Sequence, residues 1–153
     1  MKRLNLLIIL LAAWIGGSLF AQENVLKYFE GQWEGTVKFY NANGKETGKK
    51  KLNRYLVLSG RDTLQGVSEF YYDKVRPSKA ELIITREGTE FRQVSDEKVW
   101  SGTYKDKAFT FSNQETVESH FFVGTDQQFV TIEKIDPKTL KKSVFMRGVL
   151  RKL

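Results

Sequence analysis

Gly31-Gln32-Trp33-Glu34-Gly35 opens an alternating stretch that runs on to Asn41, and the far end of the chain answers with Val144 to Lys152, a second alternating stretch carrying Arg147 and Arg151. A strand at each end of an all-strand chain leaves two unpaired edges unless the two meet. Joining first to last closes the sheet into a β-barrel, and eight to ten strands enclose enough room for one small ligand. The fold class expected is therefore all-β: a single antiparallel up-and-down barrel of eight to ten strands with a short N-terminal helix.

The residues between support this. No segment after Trp33 keeps a 3.6-residue apolar period, whereas short alternating runs recur at the roughly 8 to 12 residue spacing of sandwiches and barrels. Ten strands are predicted: 32–41, 50–59, 61–72, 79–86, 90–95, 99–105, 107–112, 116–124, 128–135 and 143–152. Reversals carry turn chemistry at Asn41-Ala42-Asn43-Gly44, Glu87-Gly88-Thr89, Lys105-Asp106-Lys107, Gly124-Thr125-Asp126 and Asp136-Pro137-Lys138. Before them, Asn24 to Glu30 reads as a turn or two of helix whose Val25, Leu26 and Phe29 could plug one barrel end.

Ahead of that lies a different composition. Lys2 and Arg3, the apolar run Leu6 to Gly17 and Ser18-Leu19-Phe20-Ala21-Gln22 read as a signal peptide over 1–21, cleaved after Ala21. The apolar run is shorter than the roughly 20 residues that span a bilayer, so no integral membrane segment is expected after cleavage. Subtracting 21 residues from 153 leaves 132, one domain over 22–153. With no Cys there is neither a disulfide nor a lipidated cysteine, and the expected location is periplasmic or extracellular without a lipid anchor.

Charge narrows the partners. The formal +7 falls to +5 without Lys2 and Arg3, and what remains is scattered over hairpins, which gives no nucleic-acid stripe. Lys45, Lys49, Lys50, Lys51 and Arg54 form the densest cluster, read as a solvated turn or as a docking patch for an anionic membrane or a partner such as an envelope protein. One His, no Cys and unclustered carboxylates point away from metal sites, and no nucleophile signature accompanies His120.

Facing follows from parity. In the last strand Val144, Met146, Gly148 and Leu150 should point inward, and Phe145, Arg147, Val149 and Arg151 form a mixed set. Trp100, Phe109, Phe111, Phe121 and Met146 are the candidate apolar lining of a small hydrophobic ligand, with Tyr104 or Arg147 fixing its polar end. A filled core is the competing reading, which would leave the barrel a scaffold for protein contacts. A third is a small isomerase or hydrolase using a lumenal Glu among Glu69, Glu118 and Glu133, with Tyr71 or Tyr104 beside it. No catalytic residue is assigned.

Gly-x-Trp after a short helical turn, ten strands and an Arg in the closing strand resemble the calycin superfamily, which includes lipocalins, fatty-acid-binding proteins and nitrobindin-like bacterial domains. The resemblance spans Tyr28 to Leu153. It implies that Gly31 bends the chain into the barrel, that Trp33 seals the closed end, and that Arg151, or else Arg147, packs across the indole. The Arg-x-Tyr pair with which fatty-acid-binding proteins grip a carboxylate is Arg147-Gly148-Val149 here. Nitrobindin-like domains hold haem by a late-strand His, whereas the one His of this chain, His120, lies in the third strand from the end; the expectation is no cofactor, with haem on His120 the alternative.

Overall fold

The computed structural model describes residues 24–72 and 75–153; the expected signal peptide lies outside them. Ten strands follow a four-residue 3-10 turn, Val25–Tyr28: β1 (Gly31–Tyr40), β2 (Glu46–Leu58), β3 (Thr63–Tyr72), β4 (Val75–Glu87), β5 (Glu90–Ser95), β6 (Lys98–Lys105), β7 (Ala108–Ser112), β8 (Thr116–Val123), β9 (Gln127–Ile135) and β10 (Lys142–Lys152). Each pairs antiparallel with the next. β1 and β10 close the ring, with Trp33 opposite Lys152 and Val37 opposite Gly148.

Local chemistry makes the reversals. Asn41 accepts hydrogen bonds from the backbone N–H groups of Asn43 and Lys45, and Gly44 takes a φ of +76°. Asp96-Glu97 and Asp106-Lys107 have φ of +47°, +66°, +52° and +62°, the left-handed pairs that two-residue hairpins require. Asp136 accepts from the N–H groups of Lys138 and Thr139 at 2.8 and 2.9 Å.

Alternation then sorts the side chains. Trp33, Val37, Leu52, Leu56, Leu64, Ile84, Phe109, Phe111, Met146 and Leu150 are buried along the interior. The departure is at Val144 and Phe145: a bulge between Val144 and Met146 adds a residue to β10, so Phe145 turns to the core edge, its ring 5.5 Å from Phe39, and Val144, expected inward, takes the outward side opposite Glu133.

The two ends differ. The 3-10 turn sits at the end where β1 begins, with Asn24 capping it by accepting from the Leu26 N–H at 3.2 Å. Leu26 and Phe29 are wholly buried there, as the amphipathic reading of 24–30 predicted. Trp33 donates its indole N–H to the Phe29 carbonyl at 2.8 Å, tying plug to barrel wall. Gly31, with φ of +117°, makes the bend between them, a conformation that side-chain-bearing residues rarely adopt.

Candidate functional site

Aromatic packing fills the plugged half. The Phe29 ring lies 4.7 Å from Phe109, 4.9 Å from Phe122, 5.0 Å from His120 and 6.5 Å from Phe111. Tyr104 joins from the rim, 4.5 Å from Phe109 and 6.2 Å from Tyr28. Gly102 leaves room for the Phe111 ring, which would clash with any Cβ at that position. Tyr104, Phe109 and Phe111 thus stand together, in a filled region.

Above this layer, five polar side chains cross the interior. Arg54 on β2 donates from Nε to Ser68 Oγ at 3.0 Å, and its Nη1 is 3.4 Å from His120 Nδ1. His120 Nε2 lies 2.9 Å from Glu118 Oε1, which also has Arg54 Nη2 at 3.7 Å. Gln93 on β5 donates from Nε2 to Glu118 Oε2 at 2.9 Å. One tautomer satisfies all of these: His120 donates from Nε2 to the carboxylate and accepts at Nδ1 from the guanidinium.

Burial and charge oppose each other in this network. Burial works to raise the Glu118 carboxyl, but His120, charged in the acid range where that carboxyl titrates, adds its charge and hydrogen bond to the charge of Arg54 and the Gln93 bond, and together they outweigh burial and hold the group at about 2. Burial pulls His120 below its ordinary value against the pull of Glu118, so the imidazole is neutral at pH 7. Arg54, lowered by burial, remains the cation, since guanidinium does not deprotonate in proteins. The cluster is then one buried ion pair with neutral partners.

Its pH dependence has a definite sign. Both folded values are depressed, so each group contributes stability above its unfolded value and loses it as pH falls. Unfolding free energy should be level near pH 7, decline gently below 6.5 as His120 binds a proton on unfolding, and fall by about 3 kcal/mol between pH 4.5 and 2 through Glu118. Urea denaturation at stepped pH measures this. Glu118→Gln should flatten the acid limb, and an unchanged acid limb in that variant contradicts the assignment.

On the side of the network away from the plug the inward side chains are less completely buried. Register sets Trp100 beside Gln93 and Ile132 beside Glu118, with Thr116 two residues before Glu118 on the same face. Trp100, Thr116, Ile132 and Phe70 face inward yet are only half-buried, so solvent reaches them through that end of the closed barrel. Trp100 is held by its indole N–H to Thr116 Oγ1 at 2.9 Å. Near the rim, Lys50 lies 4.8 Å from the Phe39 ring centre and Lys134 lies 4.0 Å from that of Phe145. Glu118, with a side chain 12% exposed, is the most open of the five polar groups. Gln93 Oε1 is buried without a hydrogen-bond partner.

The residues singled out in the sequence divide between these regions. Trp100 and buried Met146 belong to the unplugged half; Tyr104, Phe109 and Phe111 belong to the plug. Two lie elsewhere. Phe121 is 44% exposed on the outer face, because Phe122 has the inward parity of β8, and Arg147 is exposed outside for the same reason on β10. Neither lines the interior. Arg147 instead borders a shallow external groove of about 460 Å³ with Lys38, Phe129 and Val149.

Barrel closure also needs one correction. Arg151 is exposed on the outer face, and the cation over the indole is Lys152, with Nζ 5.5 Å from the Trp33 ring centre, because Lys152 shares the parity of Leu150. Gly31 bends the chain into β1, and Trp33 is buried at the plugged end. Arg54, counted in the basic cluster of the first hairpin, is 5% exposed inside the barrel. Its parity with Leu52 and Leu56 was the signal for this. Gln93 was missed altogether, though it alternates with Phe91.

Glu118 is the inward carboxylate of the three considered. Glu69 is on the outer face, bonded to Lys79 and by Tyr71 Oη at 2.7 Å, which hold it below the usual carboxylate range. Glu133, opposite Val144 and Val117, has outward parity. An interior carboxylate held at about 2 is a weak base and no acid at neutral pH. His120, with a protein neighbour at each ring nitrogen, has no free face for an axial ligand bond in this arrangement. Among the described residues, no three His, Asp or Glu side chains converge as a metal site, and no helix is long and apolar enough to cross a membrane.

No family model matches the chain, and no curated protein matches it in sequence. Solved structures do match in shape. Rv2717c from M. tuberculosis aligns with a TM-score of 0.61 at 9% identity, over 84% of this chain and 97% of that one. A protein of unknown function from the DUF3598 family of Nostoc punctiforme aligns at 0.62 and 14% identity over 84% of this chain, which spans 49% of that protein. The S-type phycobiliprotein lyase CPES from Guillardia theta aligns at 0.51 and 11% identity, over 86% and 90%. At these identities the likeness is one of fold, and the fold is a closed ten-stranded antiparallel barrel of calycin-like form.

Proposed function

We propose that the protein binds a small, largely apolar molecule in the unplugged half of its barrel, as a carrier or binder without catalysis. The observation that supports this most is the set of inward yet half-buried residues, Phe70, Trp100, Thr116 and Ile132, standing over a polar floor. Apolar walls with a few convergent polar groups are how protein pockets hold such ligands. A closed barrel, the fold shared with the phycobiliprotein lyase, is compatible with binding a small molecule. The ligand would rest against Trp100, Ile132 and Met146, and the plug would stay closed beneath it. Secretion into the periplasm or beyond, by the leader at 1–21, belongs to the same proposal.

Titration with Nile red, a neutral dye that brightens in apolar surroundings, tests it. Saturation near one dye per chain in the micromolar range or tighter is expected, with loss of at least tenfold in affinity in Trp100→Ala. A protein that leaves the dye dark at all concentrations sinks the proposal.

A further inference from the structure

The polar floor carries information about what the ligand presents to it. Glu118 uses both carboxylate oxygens as acceptors, Oε1 toward His120 and Arg54, Oε2 toward Gln93. An ionised carboxylate has nothing to donate, so the Gln93 amide is oriented with its Nε2 toward Glu118. That leaves Gln93 Oε1 as a second acceptor, buried with its residue only 2% exposed and without any donor. A buried acceptor left unpaired costs about 1 to 3 kcal/mol, so a donor brought to it is favoured.

The surroundings limit the donor further. Gln93 sits directly across from Trp100, whose indole N–H is already given to Thr116, so the wall residue beside the orphan acceptor supplies no partner. Arg54 and Glu118 offset each other and His120 is neutral, so the floor has no net charge to attract an ion. A carboxylate placed there would meet Glu118 and an amide oxygen, both acceptors, in a region of low dielectric.

We infer that Gln93 and Glu118 form a hydrogen-bond-accepting subsite that selects ligands with a neutral O–H or N–H donor on an apolar body and rejects carboxylates. This rests on the binding proposed above. Gln93 Oε1 takes the donor, Glu118 fixes the Gln93 amide, and Trp100 flanks the ligand's apolar part. Gln93 Oε1 is closed to solvent, so the ligand's head reaches it, next to the ion pair, only as the side chains over it part.

Calorimetric titration of the full chain at pH 7.5 with 2-naphthol and with 2-naphthoate, which share one ring system, separates donor from acceptor heads. Nile red uptake is the control. At least tenfold tighter binding of 2-naphthol is expected, and Gln93→Met, shown to be folded by its circular dichroism spectrum, should erase most of that preference. Equal or tighter binding of 2-naphthoate by a chain that takes up Nile red overturns the subsite and leaves the binder standing. An unchanged preference in Gln93→Met also overturns it. Failure to bind both the dye and 2-naphthol removes the subsite together with the binding proposal.

Discussion

Replacing Arg54 with Leu should lower the unfolding free energy by about 3 to 5 kcal/mol, because it strands the Glu118 carboxylate and the His120 Nδ1 acceptor in the barrel interior. The arginine is 5% exposed and holds three interior partners, so water cannot take over its role without opening the barrel. Removing both charges is a different matter. Arg54→Leu/Glu118→Leu should recover at least half of the loss, since a buried ion pair replaced by packed apolar side chains is often close to neutral. Urea unfolding of the two variants, followed by tryptophan fluorescence, measures the difference. Equal losses in single and double variants would show that Arg54 acts through packing alone.

Phe29→Ala should cost about 3 to 5 kcal/mol for a separate reason. Phe29 is 1% exposed and its ring meets Phe109, Phe111, His120 and Phe122, so truncation leaves a cavity between the plug and four interior side chains. The cavity lies on the far side of the polar network from Trp100. Nile red affinity should therefore change by less than threefold when measured well below the new midpoint. A collapse of dye binding in a folded Phe29→Ala protein would place the ligand in the plugged half.

The architecture was legible because strand periodicity and turn chemistry are local. All ten strands lie within a few residues of the predicted bounds, the largest shift being at β2 and β4, whose starts extend four residues earlier. Met146, Gly148 and Leu150 face inward as their parity required. Phe145 escaped the rule since a bulge inserts one residue and resets the alternation, which only the partner strand reveals.

The site was less legible because it is assembled by register across the barrel. Arg54, Ser68, Gln93, Glu118 and His120 come from four strands, and no spacing in the chain announces that they meet. Parity was still informative where it was applied. Arg54 alternates with Leu52 and Leu56, whereas reading it with neighbouring lysines gave weight to composition over facing. Phe121 shows the same error in reverse: its aromatic character counted for more than its being out of step with Phe109's partner, His120.

The most direct test of the central claim, that ligand occupies the half of the barrel above the Arg54–Glu118 floor, is to follow the Nile red titration by two-dimensional NMR of the indole and methyl groups. The Trp100 indole, Ile132 and Met146 should shift with saturation while Trp33 and Leu26 stay still. Shifts centred on Trp33 and Leu26, or on Val149 of the external groove, would contradict it.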